Sequence, residues 1–388
     1  MAPTVRKVVL LINPSRAHTR GLLKGIAKYS RLKGLWRFYR PLEYRERKGM
    51  QRLLPALKAI QPNGILMREP PERDQIIKMS IPTVCFPYTT EKIANAANVI
   101  TDHVSVGEMA AKHLLRRGLR QFAYCGFDDW WWSRLRGDGF RKTLAQAGCQ
   151  ISVYRLPREK SKRSWDKELP IIADWLVKLP RPMGLMACND DRGELVIEAC
   201  KMAGLRVPEE VAVVGVDNDE FICDLSSPPL SSIVLSVEKA GYEAAELLDK
   251  MMAAEQIARP EIYIRPTHVV TRQSTDILSI EDTDVAEAVS FIRQHAKMPI
   301  QVASVVEAVS LSRRVLEKRF RRALGHSIHA EIRRVRTELI VQMLAETEMP
   351  ISEIADALGF PSVAHVSRYF RKEKGMSPLK YRRQYVRR

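Results

Sequence analysis

Two basic runs repeat along the C-terminal part of this 388-residue chain, and their chemistry is that of holding a polyanion. Arg313, Arg314, Glu317, Lys318 and Arg321 form the first; Ala364, His365, Arg368 and Lys372 mark the matching face of the second. An arginine fork can bond the edge of guanine bidentately, whereas lysines and helix N-termini mainly hold phosphates. The helical period turns these residues outward. It turns Val315, Leu316, the Arg319 stem and Phe320 inward on the first run, and Val363, Val366 and Phe370 inward on the second. A different chemistry is open to Trp130, Trp131 and Trp132, where one ring, Trp131 for instance, can stack on a sugar face. The competing reading makes one or two of these rings core.

Other chemistries find little support. His326 and His329 are spaced i, i+3 but have no third ligand nearby, so no metal site is expected. The six cysteines are scattered without a C-x-x-C pair, which predicts reduced core thiols. There is no G-x-S-x-G, no Walker loop and no G-x-G-x-x-G after the first apolar run, and the Asp190/Asp191 pair needs no catalytic explanation. Neither enzymatic activity nor a cofactor is expected.

The elements that must position these residues change character along the chain. Residues 6–275 alternate short apolar runs with amphipathic helical stretches. The runs are KVVLLI (7–12), GILM (64–67), TVCF (83–86), QFAYC (121–125), GLMAC (184–188) and VAVVGV (211–216). Apolar runs without strict alternation suit strands covered on both faces by crossover helices, so parallel sheets follow. About 270 residues is long for one sheet, which predicts two similar lobes with a cleft between them. DILSIEDTD (276–284) reads as a linker, and from 285 on the pattern is helical throughout. The fold expected is therefore a two-lobed α/β domain over 1–275, a linker over 276–284 and an all-α domain over 285–388.

The all-α part contains an internal repeat, PIQVASVVEAVSLSRRVLEKRFRRALG (299–325) against PISEIADALGFPSVAHVSRYFRKEKG (350–375). Each copy has a short helix with a small residue (Ala303, Ala355), a turn, an N-cap serine (Ser312, Ser362), a basic helix and a closing glycine (Gly325, Gly375). Small residues on the first helix let the second cross it closely, the requirement of a helix-turn-helix. One amphipathic helix, with Ile328, Ile332, Val335, Leu339 and Met343 on its apolar stripe, bridges the copies. From Asp284 on, 20 Lys/Arg face 11 Asp/Glu, so half of the chain's net +18 lies on this last part. Nucleic acid is the partner such a balance favours.

ISEIADALGFPS (351–362) and YFRKEKGMSPLKYRR (369–383) resemble the signature of the AraC/XylS family of bacterial regulators. The resemblance spans 285–388 and implies a double helix-turn-helix that binds double-stranded operator or promoter DNA. Residues 1–275 resemble the LacI/ribose-binding-protein sensor fold, a periplasmic-binding-protein-like architecture. The matching stretches are ITDHVSVGEMAAKHLLRRG (100–118), SRLRGDGFRKTL (133–144), MACNDDRGELVIEAC (186–200), VAVVGVDNDEF (211–221) and LSSI (230–233). That resemblance implies that Asp102, Arg136, Asn189 and Asp217 bond a monosaccharide's hydroxyls in the cleft. Asn13, Ser15, Arg16 and Arg20, after the first strand, stand where the first lobe would add contacts. The plainer roles are helix capping for Asp102 and a turn for Asp217; Asn189 and Asp190 compete for one position.

Joining this sensor to a C-terminal AraC-type domain is unusual, and the combination resembles the XylR-type regulators of xylose operons. D-xylose is the effector this implies, with another pentose, a hexose or a nucleoside as the alternative. It further implies a homodimeric activator that recruits RNA polymerase. The short apolar run Val8–Ile12 reads as a strand rather than a signal segment, and no stretch reaches membrane-spanning length. A transport-type binding protein is therefore disfavoured, and a cytoplasmic location is expected.

Overall fold

The computed structural model describes residues 5–41, 53–159, 161, 163–255, 261–277 and 282–386. In chain order the first elements are β1 (Arg6–Leu11), α1 (Ala17–Lys33), β2 (Trp36–Tyr39), α2 (Leu53–Ile60), β3 (Gly64–Met67) and α3 (Arg73–Ile77). There follow β4 (Thr83–Cys85), β5 (Ala97–Thr101), α4 (His103–Leu115), β6 (Gln121–Cys125), α5 (Trp131–Gln146), β7 (Ile151–Val153) and α6 (Trp165–Val177). Next are β8 (Met183–Ala187), α7 (Asp190–Met202), β9 (Val211–Val216), α8 (Glu220–Leu225), β10 (Ser231–Leu235), α9 (Val237–Met252), β11 (Glu261–Ile264) and β12 (Pro266–Val270).

The chain divides into two compact units: residues 1–105, 128–135 and 235–266 form the first, and 106–127, 136–234 and 267–388 the second. The first unit holds a six-stranded sheet in the order β11-β5-β4-β3-β1-β2, every neighbouring pair parallel. The second holds β12-β10-β9-β8-β6-β7, parallel from β10 to β7. Their central strands are the apolar runs read from the sequence, and β3, β8 and β9 are buried along their whole length. A strand buried on both faces has no polar side to alternate, which is why these runs are continuous. Five cysteines are buried and Cys149 is half-buried, all of them free thiols.

The remainder of the second unit is helical: α10 (Thr283–His295), α11 (Val302–Glu307), α12 (Arg313–Leu324), α13 (Ile328–Glu346), α14 (Ile351–Ala357), α15 (Val363–Lys374) and α16 (Pro378–Tyr381), the last running into a π-turn over Arg382–Val386. Each helix-turn-helix has its own small core. Val305, Leu316, Phe320 and Ile332 anchor the first; Ile354, Val366, Phe370 and Tyr381 anchor the second. α12 and α15 both stop at a glycine in the left-handed region, Gly325 (φ 79°) and Gly375 (φ 70°), a conformation that a β-carbon penalises. Residues 278–281 of the expected linker lie outside the described residues. Its last residues are anchored: Asp282 caps α10 through the Val285 N–H and accepts two bonds of 2.6 Å from Arg319 on α12.

Two inward assignments on the recognition helices are corrected here. Val315 and Val363 are each 43% exposed, whereas Leu316, Phe320, Val366 and Phe370 are buried as expected. Both valines lie in a helix's first turn, which projects beyond the core that the later turns cover.

Candidate effector site and nucleic-acid interface

The expected effector residues fall into two sets, one in each unit. In the first unit, Asn13 follows β1, and its Oδ1 accepts the Ser15 N–H at 3.0 Å, closing the turn that leads into α1. Arg20 folds back onto that turn and donates to the Ser15 carbonyl at 3.0 Å. Asn13, Pro14 and Ser15 line a hollow of about 290 Å³ together with Leu10, Ile12, Arg40 and Pro41. Asp102 ends β5, and its two oxygens accept from the N–H (3.1 Å) and hydroxyl (2.7 Å) of Ser105. The capping role weighed for Asp102 is thus present, and the residue is half-buried.

Trp131 and Trp132 open α5, with Trp130 just before it, and β6 closes earlier at Cys125. Trp131 is half-buried, donates its indole N–H to the Tyr88 carbonyl at 2.8 Å and meets His103 edge-on at 5.1 Å. Trp132 is buried, and Trp130 packs on Tyr88 at 4.8 Å. The Arg68 guanidinium sits over the Tyr88 ring at 4.2 Å, so the run nucleates an aromatic cluster.

In the second unit, Arg136 on α5 is buried, donates to the Cys188 carbonyl and approaches Asp217 to 3.5 Å. Asp217 follows β9 with φ at 100°, a strained conformation for a residue with a side chain. Such strain concentrates where geometry serves a ligand. Asn189 caps α7 by accepting the Arg192 N–H at 3.1 Å and donates to Asp191 at 3.1 Å. Its neighbour Asp190 is fully inside. It accepts from the Ser232 hydroxyl (2.5 Å) and the Asp219 N–H (2.7 Å), tying the β9–α8 turn to β10. Burial, then the Asp217 charge, pushes the Asp190 carboxyl well above the usual range. Of the two, Asp190 is buried with both carboxyl oxygens bonded within the protein, and Asn189 is half-buried.

Sequence reasoning missed the supports of this set. Arg192 makes a buried bidentate pair with Glu168 at 2.8 and 2.9 Å and lies over Phe127. Arg272 gathers Asn218 (2.9 Å), the Leu230 carbonyl (3.1 Å) and Asp224 (2.8 Å), so the segment after β12 is bonded to the turn carrying Asp217. That segment continues into Thr275, whose hydroxyl meets His113 at 2.9 Å and whose carbonyl accepts from Arg117. These links join residues far apart in sequence and leave no local pattern.

The helical domain is bonded to the same α/β body. Tyr381 donates to the Thr267 carbonyl at 2.9 Å, and Glu338 accepts from both Arg116 and Arg334. The outward face of α12 lines a concavity of about 610 Å³ with Arg313, Arg314, Glu317, Lys318 and Arg321. On α15, Ala364, His365, Arg368 and Lys372 are exposed. Arg322 and Arg371, omitted from the sequence reading, are exposed too. The repeat itself would have found them, for they align with Lys372 and Arg321. Glu317 forms ion pairs with both Arg313 (3.6 Å) and Arg321 (3.7 Å), one turn to either side on the helix. His326 pairs with Glu331 at 2.9 Å, a structural use of its ring.

Two α/β sheets of binding-protein type and a pair of helix-turn-helix units define a ligand-responsive transcription regulator. Residues 111–275 match the family described as periplasmic binding protein-like domain, and 305–384 match that described as helix-turn-helix domain. The chain is 29% identical to the xylose operon regulatory protein of Escherichia coli K12, over 97% of this chain and 96% of that protein. The same identity holds for the Haemophilus influenzae xylose operon regulatory protein, over 97% and 98%. A solved structure of the xylose-binding transcription activator xylR matches with a TM-score of 0.60 at 28% identity, covering all of both chains. With the sensor-like part first and the helix-turn-helix pair last, the chain is similar over its whole length to regulators of xylose operons.

Proposed function

We propose that this chain is a D-xylose-responsive activator of sugar-catabolism genes. The observation that carries the reading is agreement over the whole chain, in the same domain order, with regulators of xylose operons. The sensor is assigned to residues 1–275, the linker to 276–284 and the DNA-binding domain to 285–388. Asn13, Arg20 and Asp102 from one set, and Arg136, Asn189 and Asp217 from the other, supply polar contacts to the sugar. Planar carboxylate, amide and guanidinium forks suit neighbouring hydroxyls, each of which both donates and accepts. Trp131, its indole N–H already committed to a backbone carbonyl, offers a ring face for stacking.

Arg313, Arg314, Glu317, Lys318 and Arg321 on α12, with Ala364, His365, Arg368 and Lys372 on α15, face DNA. The working form is a cytoplasmic homodimer that recruits RNA polymerase when sugar is bound. For the sugar to act as a switch it must bind the active state ~100-fold better than the inactive one.

Calorimetric titration with xylose, arabinose, ribose, glucose and fucose tests the reading. Heat from xylose alone, lost in Asp217→Ala and Arg136→Ala while DNA binding persists, is the expected result. Binding of another sugar in place of xylose replaces the effector and keeps the site. Undiminished xylose binding by both variants removes the site.

A further inference from the structure

The two exposed valines of the recognition helices are not accounted for by packing. Val315 is the third residue of α12 and Val363 the first of α15, and neither joins the apolar clusters that bury Leu316, Phe320, Val366 and Phe370. A β-branched side chain is a mediocre helix former, and in water it gains nothing from its methyl groups. The internal repeat places each valine in register with a polar residue of the other copy: Val315 aligns with His365, and Val363 with Arg313. Both of those partners are exposed and belong to the basic face. The valines therefore occupy positions where the sister helix presents a polar group outward.

In a helix-turn-helix the first residues of the second helix are the ones that reach base edges. The major-groove edge of the base pairs presents hydrogen-bond donors, acceptors and one apolar group, the 5-methyl of thymine. A valine side chain offers no hydrogen bond, so only that methyl can reward it there. Arg314 precedes Val315 and Lys318 lies three residues after it, and Arg368 lies five residues after Val363, so each helix carries cations suited to hold the neighbouring phosphates. We infer that Val315 and Val363 each read a thymine 5-methyl group, one in each of the two major-groove segments contacted by α12 and α15. The inference rests on the DNA-facing assignment of these helices.

The test uses the full-length chain with its effector and a duplex selected by that chain from a random pool. Each thymine of the selected duplex is replaced singly by deoxyuridine, which keeps every hydrogen-bonding group and removes only the methyl. Burial of one methyl is worth ~0.8 kcal/mol, so about a fourfold loss of affinity is expected at one thymine under each helix. Val315→Ala should abolish the effect at its own thymine and preserve it at the other; Val363→Ala should do the converse. The slope of affinity against salt should not change in either variant, because no phosphate contact is lost. Both substitutions are at exposed positions, and unchanged thermal melting will show that the fold is intact.

Indifference of the wild-type chain to every deoxyuridine overturns the inference. So does a fourfold loss that persists in both valine variants. Failure to select any duplex would instead remove the DNA-facing assignment, and this inference with it.

Discussion

The two helix-turn-helix copies share a backbone plan and differ in how they are held and in what they present. α12 carries six cations and one carboxylate over twelve residues, whereas α15 carries four cations and one carboxylate. Behind the helices the contrast runs in the same direction. Position 331 of the first copy is a buried glutamate, bonded by His326 and Arg334; its counterpart in the second is the buried Tyr381, packed on Phe370 at 5.4 Å. The first copy is thus fastened by ions and shows a strongly cationic face. The second is fastened by rings and shows a more neutral one. One scaffold repeated can in this way divide general grip on the duplex from discrimination among sequences.

The sharpest way to break that comparison is to strip the first face. Replacing Lys318, Arg321 and Arg322 together by alanine should flatten the slope of log affinity against log salt by about 2 to 3. Binding should fall by similar factors on specific and random duplexes, as filter-binding titrations across salt would reveal. A loss confined to the specific duplex would reverse the roles of the two copies.

Acid should separate the copies next. Burial alone would raise the Glu331 carboxyl, but bonds from Arg334 and His326 outweigh it and hold the group at about 2. A carboxylate held below its unfolded value stabilises the fold above that value and ceases to do so as pH falls toward 2. Asp282, bonded by Arg319, is lowered as well and acts in the same direction. The first copy should therefore lose ~2–3 kcal/mol of local stability between about pH 4.5 and pH 2, and Glu331→Gln should flatten that dependence. Amide exchange followed against pH would read each copy separately; simultaneous acid opening of both would contradict the contrast.

Smaller effects sharpen it further. Arg368→Ala should cost ~1–3 kcal/mol on the selected duplex and little on random DNA, measured by competition at one salt concentration. The N-caps differ too. Ser362 accepts the His365 N–H at 3.2 Å, while Ser312 makes no side-chain cap bond. Ser362→Ala should lower the melting stability of the helical domain by ~1 kcal/mol and Ser312→Ala by a few tenths.

Most of this scaffold was legible before any coordinates. Continuous apolar runs marked the central strands because burial on both faces removes alternation, and the serine and glycine caps marked α12 and α15. Short or edge strands such as β2, β7 and β11 are half-polar and carry no comparable pattern. Val315 and Val363 were turned inward by a period that assumes every turn of a helix is equally covered, and a first turn is not. Arg136 and Asp217 lie 3.5 Å apart although 81 residues separate them, a proximity that local spacing does not encode. The roles of Arg272, Arg192 and Glu168 depend on contacts across dozens of residues, for which local spacing has no signature.

α13 holds one more such residue. Arg336 is buried in the helix that joins the copies; it donates to the Met298 carbonyl at 2.7 Å on one side and to the Leu358 carbonyl on the other, with its guanidinium over Phe360. The lead-in to the first helix-turn-helix copy and the turn of the second are therefore bonded to one helix, which on the proposed DNA-facing reading fixes their separation along the duplex. An extra base pair between the contacted segments would rotate one of them by about a tenth of a turn away from its reader. On that reading the operator should behave as a single word with a fixed gap, in which a changed letter is tolerated more readily than a changed length.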